Sequence, residues 1–276
     1  MCDADMVCGM TQTTEVTAFA QQKGGVGKTA TTINVAGALA AAGHDVLVIE
    51  FDPQMHLTAA LKLTPAPSGP GAPNLHQALR GTFTGSVAEL VVPHSQPGGR
   101  LDVIPGSIDL RDHGIRELDQ TKAREFRLQR FLAGISGVYG HVLIDCQTAY
   151  TILVENALVA AHGVVMPVEA EDSSLNALDG MLALIASVEA ELRDKPLHLH
   201  GLVVSMLRRP VTKVAQGVLE RFAELSESLP VLATVPWSGS TVGEAWRYGT
   251  TVEEYAPKSE AAEAFRAIAR RVDGRR

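Results

Sequence analysis

The chain is poor in cysteine, in long apolar runs and in net positive charge, and each shortage narrows what it is. Its three cysteines, Cys2, Cys8 and Cys146, lie too far apart for a zinc or disulfide framework, and free thiols fit a reducing compartment. No run of about eighteen consecutive apolar residues occurs, so no membrane-spanning helix is predicted. The opening "MCDADMVCGM" carries acids where a secretory signal carries lysines, and it lacks a long apolar core. The expected protein is therefore soluble and cytoplasmic. Residues 1–13 are expected to be a disordered extension, with both Met1 and Met10 open as starts. The net charge of −7 excludes a uniformly basic coat for nucleic acid. The balance shifts along the chain, with 13 Lys and Arg against 22 Asp and Glu in residues 1–199, and 11 against 9 in residues 200–276. Any DNA contact is thus expected as a local patch in the C-terminal third. Repeats and inter-domain linkers are also missing, so residues 14–276 read as one domain.

What is present is a regular alternation. "EVTAFAQ", "DVLVIEF", "LDVIP", "HVLIDC", "GVVMPVE", "LHGLVVSM" and "VLATVP" are short unbroken apolar runs, the pattern of parallel strands buried on both faces. Helical stretches are predicted over 29–42, 122–135, 151–161, 175–192, 214–229 and 261–272. The predicted fold is α/β, a doubly wound, mostly parallel sheet with helices on both faces. The Pro/Gly-rich "LTPAPSGPGAPN" (63–74) reads as a surface loop within it.

"AFAQQKGGVGKT" places a glycine-rich loop directly after a strand and at the start of a helix, where backbone N–H groups converge on an anion. Gln22 stands where G-x-x-x-x-G-K-[ST] requires glycine, so the standard pattern fails. Gly27, Lys28 and Thr29 remain. Lys28 is expected to reach the β- and γ-phosphates of a nucleotide, and the Thr29 hydroxyl to ligate Mg²⁺. In "VLVIEFDPQ" the period-two alternation puts Glu50 and Asp52 on one side of a strand end, suited to a metal and a water. In "HVLIDC" Asp145 ends another strand, either reaching the metal through water or capping a helix.

On these residues the chain resembles the deviant Walker A ATPases of the ParA/MinD type, and most of all the ParA-type partition ATPases. The stretch "KGGVGKTATTINVAGALAAAGHDVLVIEFDPQ" carries the likeness. "ENALVAAHGVVMPVEAE" and "YGTTVEEYAPKSEAAEAFRAIARRV" extend it over about residues 15–272. The resemblance implies ATP or ADP with Mg²⁺, held by Lys23, Gly24, Gly25, Val26, Gly27, Lys28, Thr29 and Ala30. Glu50, Asp52 and Asp145 lie toward the metal. It implies that Lys23 reaches across an ATP-sandwich homodimer to the partner's nucleotide, although a solvated loop lysine is the other reading. Asp52 takes the role of orienting the attacking water. Ser205, Met206, Pro236 and Trp237 fall where relatives border adenine. Three positions depart from the pattern: Ala30 replaces a threonine, Glu50 an aspartate, and Gln147-Thr148 a proline pair.

The resemblance further implies slow ATP hydrolysis and nonspecific binding of double-stranded DNA by the ATP dimer. A ParB-type centromere-binding protein is implied as the stimulating partner, and nucleoid association as the location. Arg208, Arg209, Lys213, Arg247, Arg266, Arg270 and Arg271 are the candidate DNA contacts, whose affinity would fall with salt. A MinD-like or other cargo-positioning ATPase stays open as an alternative, as does a nucleotide-binding regulator with little turnover. Membrane binding is not expected, because the C-terminal stripe of Ala261, Phe265, Ile268 and Val272 is thin and suits core packing.

Overall fold

The computed structural model describes residues 13–94, 97–237 and 241–274. Cys2, Cys8, Met10 and most of the expected N-terminal extension lie outside them, as do residues 238–240. Eight strands form one sheet: β1 (Glu15–Phe19), β2 (Val46–Phe51), β3 (Val92–His94), β4 (Leu101–Ile104), β5 (His141–Cys146), β6 (Gly163–Val168), β7 (His198–Leu207) and β8 (Val231–Pro236). Their order is β3-β4-β2-β5-β1-β6-β7-β8, and every pairing is parallel except β3 with β4. All residues of β2, β5 and β6 are buried, as unbroken apolar runs require of strands covered on both faces.

Helices cover the sheet on two sides. One apolar cluster joins Val142, Ile144 and Val164 to α6 (Ile152–Ala160), α7 (Asp172–Leu192) and α8 (Lys213–Glu224). The other joins Leu143, Val165 and Val203 to α1 (Lys28–Ala41) and α11 (Glu260–Asp273). Between these in the chain lie the short helices α2 (His56–Ala60), α3 (Leu75–Arg80), α4 (Ile115–Asp119), α5 (Arg127–Ala133), α9 (Thr241–Tyr248) and α10 (Val252–Tyr255). The predicted doubly wound sheet is thus the observed one. The seven predicted strands are β1, β2, β4, β5, β6, β7 and β8. The edge strand β3 gave no signal, being three residues long with Pro93 at its centre, a residue that edge strands tolerate because one side of the backbone is unpaired.

The helix predicted over 122–135 starts late. Ala123 sits at φ 48°, which breaks the α-helical path, and a 3₁₀ turn over Arg124–Phe126 leads into α5. The stripe of Ala261, Phe265, Ile268 and Val272 is buried against the sheet, so α11 packs on the core as its sequence suggests. No helix among the described residues is long and apolar enough to cross a membrane.

Candidate functional site

Strand register builds the site. Asp145, on β5, lies beside Phe19 of β1 and Glu50 of β2, so the carboxyl ends of three strands meet where the strand order reverses around β1. That crevice is where open α/β sheets place ligands. The glycine loop leaves β1 there and turns into α1. Gly25 and Gly27 adopt φ 79° and 80°, the left-handed region that glycine enters without a Cβ penalty. Gly27 is the N-cap of α1, and its conformation leaves the first helical N–H groups facing the crevice. The Ser205 hydroxyl on β7 pins the loop by donating to the Val26 carbonyl at 2.6 Å and to Val168 at 3.1 Å.

The charged groups converge on the same place. Thr29 Oγ1 donates to Asp145 Oδ2 at 2.8 Å, and Thr32 approaches Asp145 Oδ1 at 3.5 Å. Asp145 is fully buried. Burial pushes its pKa well above the ordinary carboxylate value, Thr29 counteracts this, and Glu50 and Asp52 add to it. The Lys28 ammonium donates to the Lys23 carbonyl at 3.2 Å and to Thr148 Oγ1 at 3.0 Å. Burial pulls its pKa down, against Asp145, Asp52 and Cys146. The arrangement is a buried acid and a buried base aimed at one open crevice, which suits a ligand carrying both negative charge and a cation.

A cavity of about 950 Å³ opens from this point. Gly24, Gly25, Gly27, Lys28, Thr29 and Ala30 form its phosphate-loop end, with Asp52 beside them. Ser205, Met206, Pro236 and Trp237 line it too, so the four residues placed at the adenine border share one cavity with the loop, with Ser205 packed against the loop itself. Val26 is buried behind the loop, where its carbonyl accepts the Ser205 hydroxyl.

Two residues stand differently from expectation. The Glu50 carboxylate accepts the N–H groups of Leu57 at 2.7 Å, Thr58 at 2.9 Å and Gly106 at 3.1 Å, and the Thr58 hydroxyl as well. It is buried, anchors the start of α2, and does not line the cavity. Burial raises its pKa, opposed by those same bonds. Its extra methylene gives the reach to those amides, and Asp52 alone of the pair faces the cavity. Lys23 turns back onto its own chain, with Nζ 3.0 Å from Glu169, 2.8 Å from Glu171 and 3.4 Å from Ser174 Oγ. Burial lowers its pKa, but the Glu171 and Glu169 hydrogen bonds prevail and the net shift is upward.

The seven basic candidates differ in their partners. Arg208 stacks over the Trp237 ring at 4.8 Å, and Arg247 lines the cavity. Arg209 pairs with Glu260, Arg266 with Glu253 and Glu263, and Arg270 with Glu263. Among the described residues Lys213 and Arg271 form no ion pair.

Residues 14–197 match the family described as "AAA domain". The chromosome partitioning protein ParA of Caulobacter vibrioides is 35% identical over 267 residues, covering 94% of both chains. The chain belongs to the ParA/MinD-type P-loop ATPases. A cobyrinic acid a,c-diamide synthase from Mycobacterium smegmatis, solved with bound ADP and magnesium, superimposes with a TM-score of 0.76 at 30% identity, covering 93% of this chain and 92% of that one. The Cyanothece McdA(D38A)–ATP complex shares the fold at a TM-score of 0.82 and 22% identity, over 96% and 98% of the two chains.

This ParA/MinD-type site also uses residues that sequence reasoning gave no role. Thr148, noted only as a departure, receives the Lys28 ammonium, while Gln147 donates its side-chain amide to the Thr151 hydroxyl. Thr31, Gln54 and Trp246 line the cavity. Thr31 could have been found from its position in the first turn of α1. Trp246 could not, because α9 lies far along the chain and only the packed fold brings it to the loop.

Proposed function

We propose that this chain is a Mg²⁺-dependent ATPase that acts as a nucleotide-switched homodimer in chromosome or plasmid partition, with nonspecific DNA and a ParB-type protein as partners. The observation that carries the reading is that Lys28 and Thr29 line a cavity large enough for a nucleotide, with the buried Asp145 behind Thr29 at 2.8 Å. The residues fit the ligand chemically. A fully buried carboxyl beside a threonine hydroxyl suits a hard cation, and left-handed glycines with free helix-end amides suit phosphate.

Lys28 holds the β- and γ-phosphate oxygens, and the amides of residues 24–30 hold the rest of the chain of phosphates, with Ala30 contributing only its backbone N–H. Thr29 and Asp145 would hold Mg²⁺, the Thr29 hydroxyl already resting on the Asp145 carboxylate. Mg²⁺ supplies neutralisation of the charge that develops on the leaving phosphate. Asp52 orients the attacking water from the cavity wall, while Glu50 keeps that wall in place through α2. Ser205, Met206, Pro236 and Trp237 enclose the base. Lys23 leaves Glu169 and Glu171 and enters the partner's site, where a charge supplied in trans stabilises the transferring phosphoryl group.

The test is a gel shift with nonspecific duplex DNA, with and without ATP, at two salt concentrations. The expected result is a complex that needs ATP and weakens steeply with salt. A shift indifferent to ATP, or none, would overturn the partition reading in favour of a regulator or a carrier of other cargo.

A further inference from the structure

We propose that the opposite pole of the sheet carries a second cation site, a two-histidine, one-carboxylate centre formed by His44, His141 and Asp273 that takes a borderline divalent ion such as Zn²⁺. The three residues come from separate elements and are brought together by the ladder and by the end of α11. Val46 pairs with His141 in the β2/β5 register, and His44 precedes that strand by two positions. The Asp45 carbonyl accepts the N–H groups of Gly140 and His141, which locks the two strand starts together. His141 shares its face of β5 with Leu143, which packs in the α11 cluster. Val272 is buried in that cluster and Gly274 ends the helix at φ 65°, so Asp273 arrives at the strand starts.

The donor geometry is close to that of a filled site. His141 Nε2 lies 3.1 Å and His44 Nε2 3.6 Å from the same Asp273 oxygen, and all three ligand atoms fall within 4.8 Å of one another. Ligands around a tetrahedral zinc with bonds of about 2.0–2.1 Å stand about 3.3 Å apart, a spacing close to those of both histidines from Asp273, and His44 and His141 would close on each other to complete the triangle. The two rings are already held edge to face with centroids 4.9 Å apart. His141 is almost fully buried, whereas the side chains of His44 and Asp273 are 10% and 13% exposed, which leaves a solvent opening for the ion and a completing water. Two imidazoles with one carboxylate favour zinc, cobalt or nickel over magnesium, which prefers oxygen donors in an octahedron. The site is also distinct from the phosphate loop. His141 and Asp145 lie four residues apart on β5, about 13 Å along the strand. An ion here would tie the end of α11 to the starts of β2 and β5, a clamp on the helix that closes the chain's second core.

The test uses the full-length, untagged protein stripped of metal with a chelator and titrated with Co²⁺ and then Zn²⁺ at neutral pH. One equivalent of Co²⁺ per chain should give visible ligand-field bands that Zn²⁺ abolishes, and Zn²⁺ should raise the thermal midpoint. H44Q, at the more exposed of the two histidines, and D273N should each lower affinity by more than about tenfold while circular dichroism stays native. T29A, in the phosphate loop, should leave the bands unchanged. Absence of bands at stoichiometric Co²⁺ would reduce the cluster to a hydrogen-bonded pair of histidines on one acid. Bands that persist in both H44Q and D273N would place the ion on other histidines. Either result overturns the proposal.

Discussion

Lys23 shows at the scale of one side chain what the proposed switch would have to undo. Its ammonium is held by Glu169 and Glu171 and remains partly exposed, at 20% for the side chain. Exposed ion pairs of this kind contribute about 0.5–1 kcal/mol at most, enough to bias Lys23 toward its own chain without trapping it. Glu171 is the more exposed partner, at 61%, and its carboxylate touches nothing in the cavity. Removing it by Glu171→Ala should loosen Lys23, leaving Glu169 as its remaining acid, and lower the ATP concentration for half-maximal dimer formation about two- to fivefold. Lys23→Ala should bind nucleotide but form no ATP-induced dimer. Light scattering across an ATP series reads both. A Glu171→Ala protein that needs more ATP than the parent would show that Glu171 supports the dimer instead of competing with it.

Strand β7 shows what an element conceals from its sequence. Within it His200 is 92% buried by complement of its 8% exposure, next to His198, with Gly163 of β6 leaving the room its ring occupies. Burial first, and then the neighbouring His198 and His141, push its pKa down to about 4. In the unfolded chain the ring titrates near 6.5. Between these values the unfolded state binds the extra proton, so the stability contribution is complete above about pH 6.5 and is lost as pH falls toward 4. By about pH 5 the loss is about 2 kcal/mol. His200→Gln should remove that part of the acid sensitivity, and urea midpoints near pH 7 and pH 5 should therefore lie closer together than in the parent. Equal separation in both proteins would show that His200 stays solvated on acidification. Nothing in "LHGLVVSM" announces this, because an apolar run predicts a buried strand but not how its one imidazole is paired. The same boundary runs through the rest of the molecule. Unbroken runs identified β5 and β6 at once, since burial on both faces leaves no other pattern, and the strand-end position of Asp145 followed from them. Alternation placed Glu50 and Asp52 on one side, but side is not reach. Only the fold shows the amides of Leu57, Thr58 and Gly106 within range of Glu50, and only the fold carries α9 to the glycine loop.

For the whole molecule the question is how an acidic chain, at −7 overall, would meet DNA. Clustered charge in the C-terminal third is the sequence argument, yet the structure distributes those residues among several tasks. Arg266 and Arg270 are neutralised on α11 by Glu253 and Glu263, Arg209 by Glu260, and Arg247 belongs to the cavity wall. Arg208, Lys213 and Arg271 are left, Lys213 opening α8, Arg208 stacked on Trp237, and Arg271 in the last turn of α11. This placement ties Arg208 to a cavity-lining ring and leaves Lys213 without such a contact. Lys213→Glu should therefore weaken DNA binding by the ATP-bound protein at every sequence tested, reduce the salt slope by about 1, and leave nucleotide affinity unchanged. Arg208→Ala should weaken both, because it also loses its contact with Trp237, the ring proposed to border the base. Fluorescence anisotropy with labelled duplex and with labelled nucleotide separates the two effects. If Lys213→Glu binds DNA as the parent does while Arg271→Glu does not, the DNA surface lies at the end of α11, and the face around α8 is solvent-exposed in the complex.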